Sequence, residues 1–121
     1  MTWKKKIQDL FDTGEFVIVQ KLFMVLYYWI LNKISTIDAQ DLCTECDFIF
    51  TAPTTTGQTI LTDNAATPTI YTIVTLIKNY HDNYWYKSLL TPEQVLQMID
   101  DIHSAGYIKD DEQADLKGLG W

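Results

Sequence analysis

The residues best equipped for chemistry are two cysteines and two histidines. Cys43 and Cys46 form a C-x2-C pair, and His81 and His103 are the only imidazoles in the chain. Two sulfurs at this spacing are half of a zinc site. The histidines follow Cys46 by 35 and 57 residues, far outside compact finger spacing. A redox-active pair would follow a strand and open a helix in a thioredoxin-like unit, and no such unit is legible. The expectation is two reduced thiols in a helix or turn, with no metal and no cofactor. The quartet Cys43, Cys46, His81 and His103 stands as a metal-binding alternative.

The carboxylates offer little more. Asp100 and His103 are three residues apart and share a helical face, yet no Ser, second His or Gly-rich loop is locatable to complete a site. Asp110, Asp111, Glu112 and Asp115 lack the spacing and turn glycine of a calcium loop. No phosphate loop, Ser-centred elbow, zinc-protease motif or dinucleotide fingerprint is present. A non-enzymatic protein is expected, with no catalytic residue.

The segment Asn79–Tyr86 mixes four aromatic rings with amide and carboxyl groups. That mixture suits a protein hot spot or a sugar platform, because Tyr and Trp bring apolar area with a polar handle. Base stacking would want adjacent cations, and only Lys78 and Lys87 flank it.

Elements must position these groups. Trp3, Ile7, Leu10 and Phe11 fall on one stripe of a helix capped by Thr2 and followed by Gly14, an N-terminal helical arm over residues 1–14. Lys4, Lys5 and Lys6 sit against the positive end of its dipole. The unbroken apolar run Leu22–Leu31 has ten residues, about 15 Å as a helix and half of a bilayer core. Residues 16–34 read as a helix buried on nearly all sides, with Lys21, Tyr28 and Asn32 as a narrow polar stripe. A strand pair and a short membrane span or in-plane helix are the other readings. Ser35 opens a short helix to about Cys46.

The Thr-rich segment 47–66 carries Pro53, Gly57 and Asn64 as turn signals. A hairpin pairing 47–52 with 58–62 and an extended loop are both open. Thr67-Pro68 marks a helix reaching Tyr86. Thr91-Pro92-Glu93 opens the clearest helix, with Val95, Ile99 and Ile102 inward and Gly106 at its end.

The fold class expected is mainly α, one small helical domain over 1–121 with a hairpin in the Thr-rich segment, or else α+β. The chain has 121 residues and 16 aromatics, enough for one core. Its net charge is −7, and it contains no Arg. Both features argue against broad phosphate-backbone binding and against direct base readout. Residues 1–35 hold five Lys against three acids, whereas residues 36–121 hold four against thirteen.

A small acidic Arg-free domain, with a Thr-rich stretch and a capped helix ending SAGYI, resembles accessory proteins of tailed-phage particles. Head decoration, head-fibre and head–tail connector components are meant, and the resemblance covers roughly residues 51–108. It implies a structural role in a virion or in the infected cell's cytoplasm, and no functional residue is carried across. The chain is expected to bind copies of itself or a larger scaffold, because it carries more apolar surface than one small domain hides. Trp3, Phe23, Tyr27, Trp29, Tyr84, Trp85 and Trp121 are the expected interface anchors.

Overall fold

A computed structural model describes all 121 residues. Six helices and one small sheet follow the chain in the order α1 (Trp3–Asp12), α2 (Ile18–Ile30), α3 (Thr36–Thr44), β1 (Phe48–Phe50), β2 (Thr59–Asp63), β3 (Ile70–Thr72), α4 (Ile73–Asn83), α5 (Pro92–Ser104) and α6 (Asp110–Lys117), with a 3-10 turn at Trp85–Lys87. The fold is mainly α, with the hairpin formed.

Helix α2 is the centre. Leu22 to Tyr27 are all buried, packed against α3, α4 and α5. Its buried Gln20 is satisfied locally, since Gln20 Oε1 accepts the Val17 amide N–H at 3.0 Å and caps the helix start. At 13 residues α2 is too short to span a bilayer, and no helix is long and apolar enough to cross a membrane. The transmembrane reading of residues 16–34 falls on that length, and the strand reading falls on the helix itself.

The expectation that a neighbour covers part of this segment needs correction only over Leu22–Tyr27, since Val17 and Ile18 stay 46% and 49% exposed and Tyr28–Leu31 are half-buried. The chain covers Leu22–Tyr27 by itself, within one cluster of 28 buried apolar side chains. Nor do residues 1–14 form a detached arm. Ile7 and Phe11 are buried in the same cluster, and Lys4 and Gln8 reach Asp41 and Glu45 beside α3, each at 2.9 Å.

The sheet is antiparallel in the order β1-β2-β3, so β1 and β3 are its edges. Gln58 holds the connecting loop, its Oε1 accepting the Thr54 N–H at 2.9 Å. The helix expected from Thr67-Pro68 begins five residues later. Ile70–Thr72 pair with β2 instead, and Thr72 is the N-cap of α4, its Oγ1 accepting the Thr75 N–H at 3.1 Å. Three β-branched or aromatic residues favour the ladder over a helical first turn. The helix also stops at Asn83, short of Tyr86.

Helices α2 and α5 end alike. Asn32 has φ +58° and Gly106 φ +83°. In α2 the N–H groups of Asn32 and Lys33 donate to Trp29 O and Tyr28 O, both at 3.0 Å; in α5 those of Gly106 and Tyr107 donate to His103 O and Ile102 O, at 2.9 and 3.1 Å. Both are Schellman turns, which use a left-handed residue to satisfy the last carbonyls.

Candidate functional site

The four metal-ligand candidates do not converge. Cys43 and Cys46 are free thiols, both buried at the end of α3. Burial pushes the Cys43 thiol up to about 12, with Cys46 adding to it. Burial also raises Cys46, against the pull of Lys21. His81 lies between acceptors, with Nδ1 2.9 Å from Asp82 Oδ1 and Nε2 3.2 Å from the Gly120 carbonyl. His103 Nε2 meets Asp110 Oδ1 at 2.6 Å. No group of three or more His, Cys, Asp or Glu side chains is placed to hold a metal ion.

The carboxylate Asp100 is likewise committed. It accepts from Lys117 Nζ and Gln113 Nε2, each at 2.9 Å, which holds its carboxyl below the usual range. This ties α5 to α6.

The expected anchors divide by burial. Phe23 is 0% exposed and stacks on Tyr80 with centroids 3.7 Å apart. Tyr27 is buried too. Neither can present area to a partner without unfolding, so both are core residues and leave the list of anchors. Trp121 closes over its own chain, donating its indole N–H to Leu116 O at 2.8 Å and lying edge-on to His81 at 4.7 Å. Trp85 packs into the same corner, 5.8 Å from Trp121. Tyr84 is half-buried against the core. The aromatic segment 79–86 is thus largely internal packing, and its exposed member is Tyr86, with Leu89 beside it in the chain (71% and 58% exposed).

Trp3 stays at the surface. Lys6 Nζ lies 4.4 Å and Lys33 Nζ 5.6 Å from its ring centroid, and the Tyr28 ring lies tilted against it 5.2 Å away. Lys4 and Lys5 pair with Asp41 and Asp9, both at 2.9 Å, so two cations of the basic cluster find acids within the chain.

Two further surface features bear on function. The first is the outer face of the sheet. Ile49 stands opposite Thr62, and Thr62 opposite Ile70. Period-two alternation puts these three on one face while Phe48 and Phe50 point into the core. Ile49 is 56% and Ile70 54% exposed, an apolar row crossing a sheet with two open edges. The F-I-F alternation was the signal that could have found Ile49.

The second is a cleft of about 430 Å³ between the ends of α2 and α5, lined by Trp29, Asn32, Ser35, Thr36, Asp101 and Tyr107 among others. The Trp29 and Tyr107 rings stack at 5.8 Å and 25°. Trp29 donates its indole N–H to Thr36 Oγ1 at 3.0 Å. The size is ordinary for a small-ligand pocket. Of these residues the sequence marked Trp29 as an anchor, Asn32 as part of a polar stripe, Ser35 as a helix start and Asp101 as a carboxylate beside Asp100 and His103.

Comparison with family models, with curated proteins and with solved structures returns no match.

Proposed function

We propose that this protein is a non-enzymatic assembly subunit that packs against copies of itself within a larger particle. The single observation that supports this is the Ile49–Thr62–Ile70 row, exposed across a three-stranded sheet whose edges are both unpaired. An exposed apolar pair lying across a sheet whose edge strands are unpaired is a surface that a second copy can cover.

Magnitudes say what kind of assembly this is. Burying a whole Ile is worth about 1.5–3 kcal/mol, so a half-exposed one offers about 1 kcal/mol. Two such residues from each of two copies give about 4 kcal/mol, at the bottom of the roughly 4–15 kcal/mol that association costs. An isolated pair therefore does not persist. Copies already held and oriented side by side by other contacts of a particle do not meet that association cost again, so the row can then add to the assembly. This is the behaviour of a repeated component on a scaffold, and it suits the virion role implied by the resemblance to tailed-phage accessory proteins. The virion and the infected cell's cytoplasm are the proposed locations.

Amide chemical shifts followed over a protein dilution series test the reading. Concentration-dependent shifts are expected at Ile49, Thr62, Ile70 and their neighbours. Shifts confined to another surface, or none at the highest concentration reached, reject it.

A further inference from the structure

The cleft between α2 and α5 has a chemistry of its own. Several of its polar groups are already engaged within the chain. The Ser35 hydroxyl accepts the Asp38 N–H at 3.1 Å, and the Thr36 hydroxyl accepts the Trp29 indole N–H at 3.0 Å. Asp101 accepts from Gln97 through Oδ1 alone, at 3.0 Å. Its other carboxylate oxygen, the Asn32 amide and the Tyr107 hydroxyl have no partner in the chain, and all three residues line the cleft. An acceptor, a donor–acceptor amide and a phenol thus line one cleft together with a pair of stacked rings.

That set discriminates between ligand classes. No Lys lines the cleft, and Asp101 is its one carboxylate, so an anionic ligand meets repulsion and no compensating charge. A purely apolar ligand would bury the three polar groups unpaired, which costs free energy at each. An ammonium would suit Asp101 and the rings but has no acceptor for the two N–H donors of Asn32. A neutral polyhydroxylated ring meets every requirement. Its hydroxyls donate to Asp101 and accept from Asn32 and Tyr107, while its C–H face lies on an aromatic wall.

We infer that the Trp29–Tyr107 cleft is a saccharide-binding site, with Asn32 and Asp101 as the residues that fix the sugar's hydroxyls. The site is separate from the sheet face, so it stands or falls independently of the assembly reading.

The test titrates the isotope-labelled full chain with maltotriose, lactose and N,N′-diacetylchitobiose in turn, and with tetramethylammonium chloride as the cationic rival. Saturable amide shifts at Asn32, Asp101, Ala105 and Tyr107 are expected with at least one saccharide. Asp101→Asn and Asn32→Asp should each weaken that binding about tenfold or more, since each removes or reverses a charge-assisted or donor contact. Asn32→Asp keeps a residue type that tolerates the left-handed backbone. Tyr107→Phe serves as a third variant should either fail to fold, and should weaken binding in the same direction. The inference is overturned if no saccharide shifts the cleft, if tetramethylammonium alone saturates it, or if the folded variants bind as the parent does.

Discussion

The Trp29 and Tyr107 rings stack 5.8 Å apart, although 78 positions separate them in the chain. A left-handed residue places each. Asn32 turns the chain after Trp29, and Gly106 turns it immediately before Tyr107. Two helix endings of one kind thereby build the walls of the cleft.

Gly106→Ala should therefore cost about 1–2 kcal/mol, the penalty of an L-residue in the left-handed region. An added Cβ meets nothing within 4 Å, so the cost is conformational and not a clash. Urea unfolding measures it, and the Tyr107 amide should shift with it. Asn32→Gly, which keeps that backbone accessible, should change stability by only a few tenths of a kcal/mol.

Phe23→Ala should destabilise the monomer by about 3–5 kcal/mol, as for other buried Phe truncations. Its full burial against Tyr80 demands this. A thermal midpoint close to the parent's would mean that Phe23 is not core.

Tyr80→Phe should be neutral or slightly stabilising, within about 1 kcal/mol. The Tyr80 hydroxyl is buried and reaches no hydrogen-bond partner. Ser88 lies near enough to temper the upward push of burial on the phenol, yet the two hydroxyls do not meet in a hydrogen bond. A loss well beyond that range would show that a Tyr80–Ser88 bond forms in solution.

Stability should hold through neutral pH and fail in alkali. Burial raises the Tyr27, Tyr71 and Tyr80 phenols and the Cys43 thiol, and the Asp41 and Asp9 carboxylates raise Lys4 and Lys5. A group with a raised folded value contributes stability below its unfolded value and loses it as pH climbs through the folded one. The unfolded values are about 8.5 for Cys and about 10 for Tyr and Lys, so the urea midpoint should begin to fall above about pH 8.5 and fall further beyond about pH 10. Asp100 has the opposite sign. Its lowered value contributes above the ordinary carboxylate range and is lost as acid protonates it. At neutral pH the Cys43 thiolate is scarce, so a thiol reagent should label Cys43 only after denaturant is added.

Much of the helical frame was legible because its signals are local. Thr2, Ser35 and Thr91 cap α1, α3 and α5 as expected, each accepting a backbone N–H three residues on. The apolar run read as a buried helix is α2, and the hairpin around PTTTG forms. What failed was relational. Thr67-Pro68 carried a helix-start signal, but pairing with β2 holds Ile70–Thr72 extended. The size of the apolar run suggested a partner, whereas α3, α4 and α5 cover Leu22–Tyr27 and leave Tyr28–Leu31 half-buried. The cleft joins residues near 30 to residues near 105, so no window of sequence contains it. Ile49 and Ile70 become a row only through strand register.

Salt should strengthen self-association. Every copy carries −7, and raising ionic strength from 0.1 M to 1 M shortens the screening length from about 10 Å to about 3 Å. Light scattering at the two salt concentrations checks the direction; weakening by salt would point to a contact between opposite charges instead.

Sedimentation equilibrium on the parent protein and on an Ile49→Asp/Ile70→Asp variant addresses the sheet face most directly. The parent should be monomeric at micromolar concentration and associate only weakly and reversibly, with a Kd weaker than about 1 mM, while the variant stays monomeric throughout. A tight oligomer that survives both substitutions, or a parent and variant that behave identically at the highest concentration reached, would contradict the assembly role.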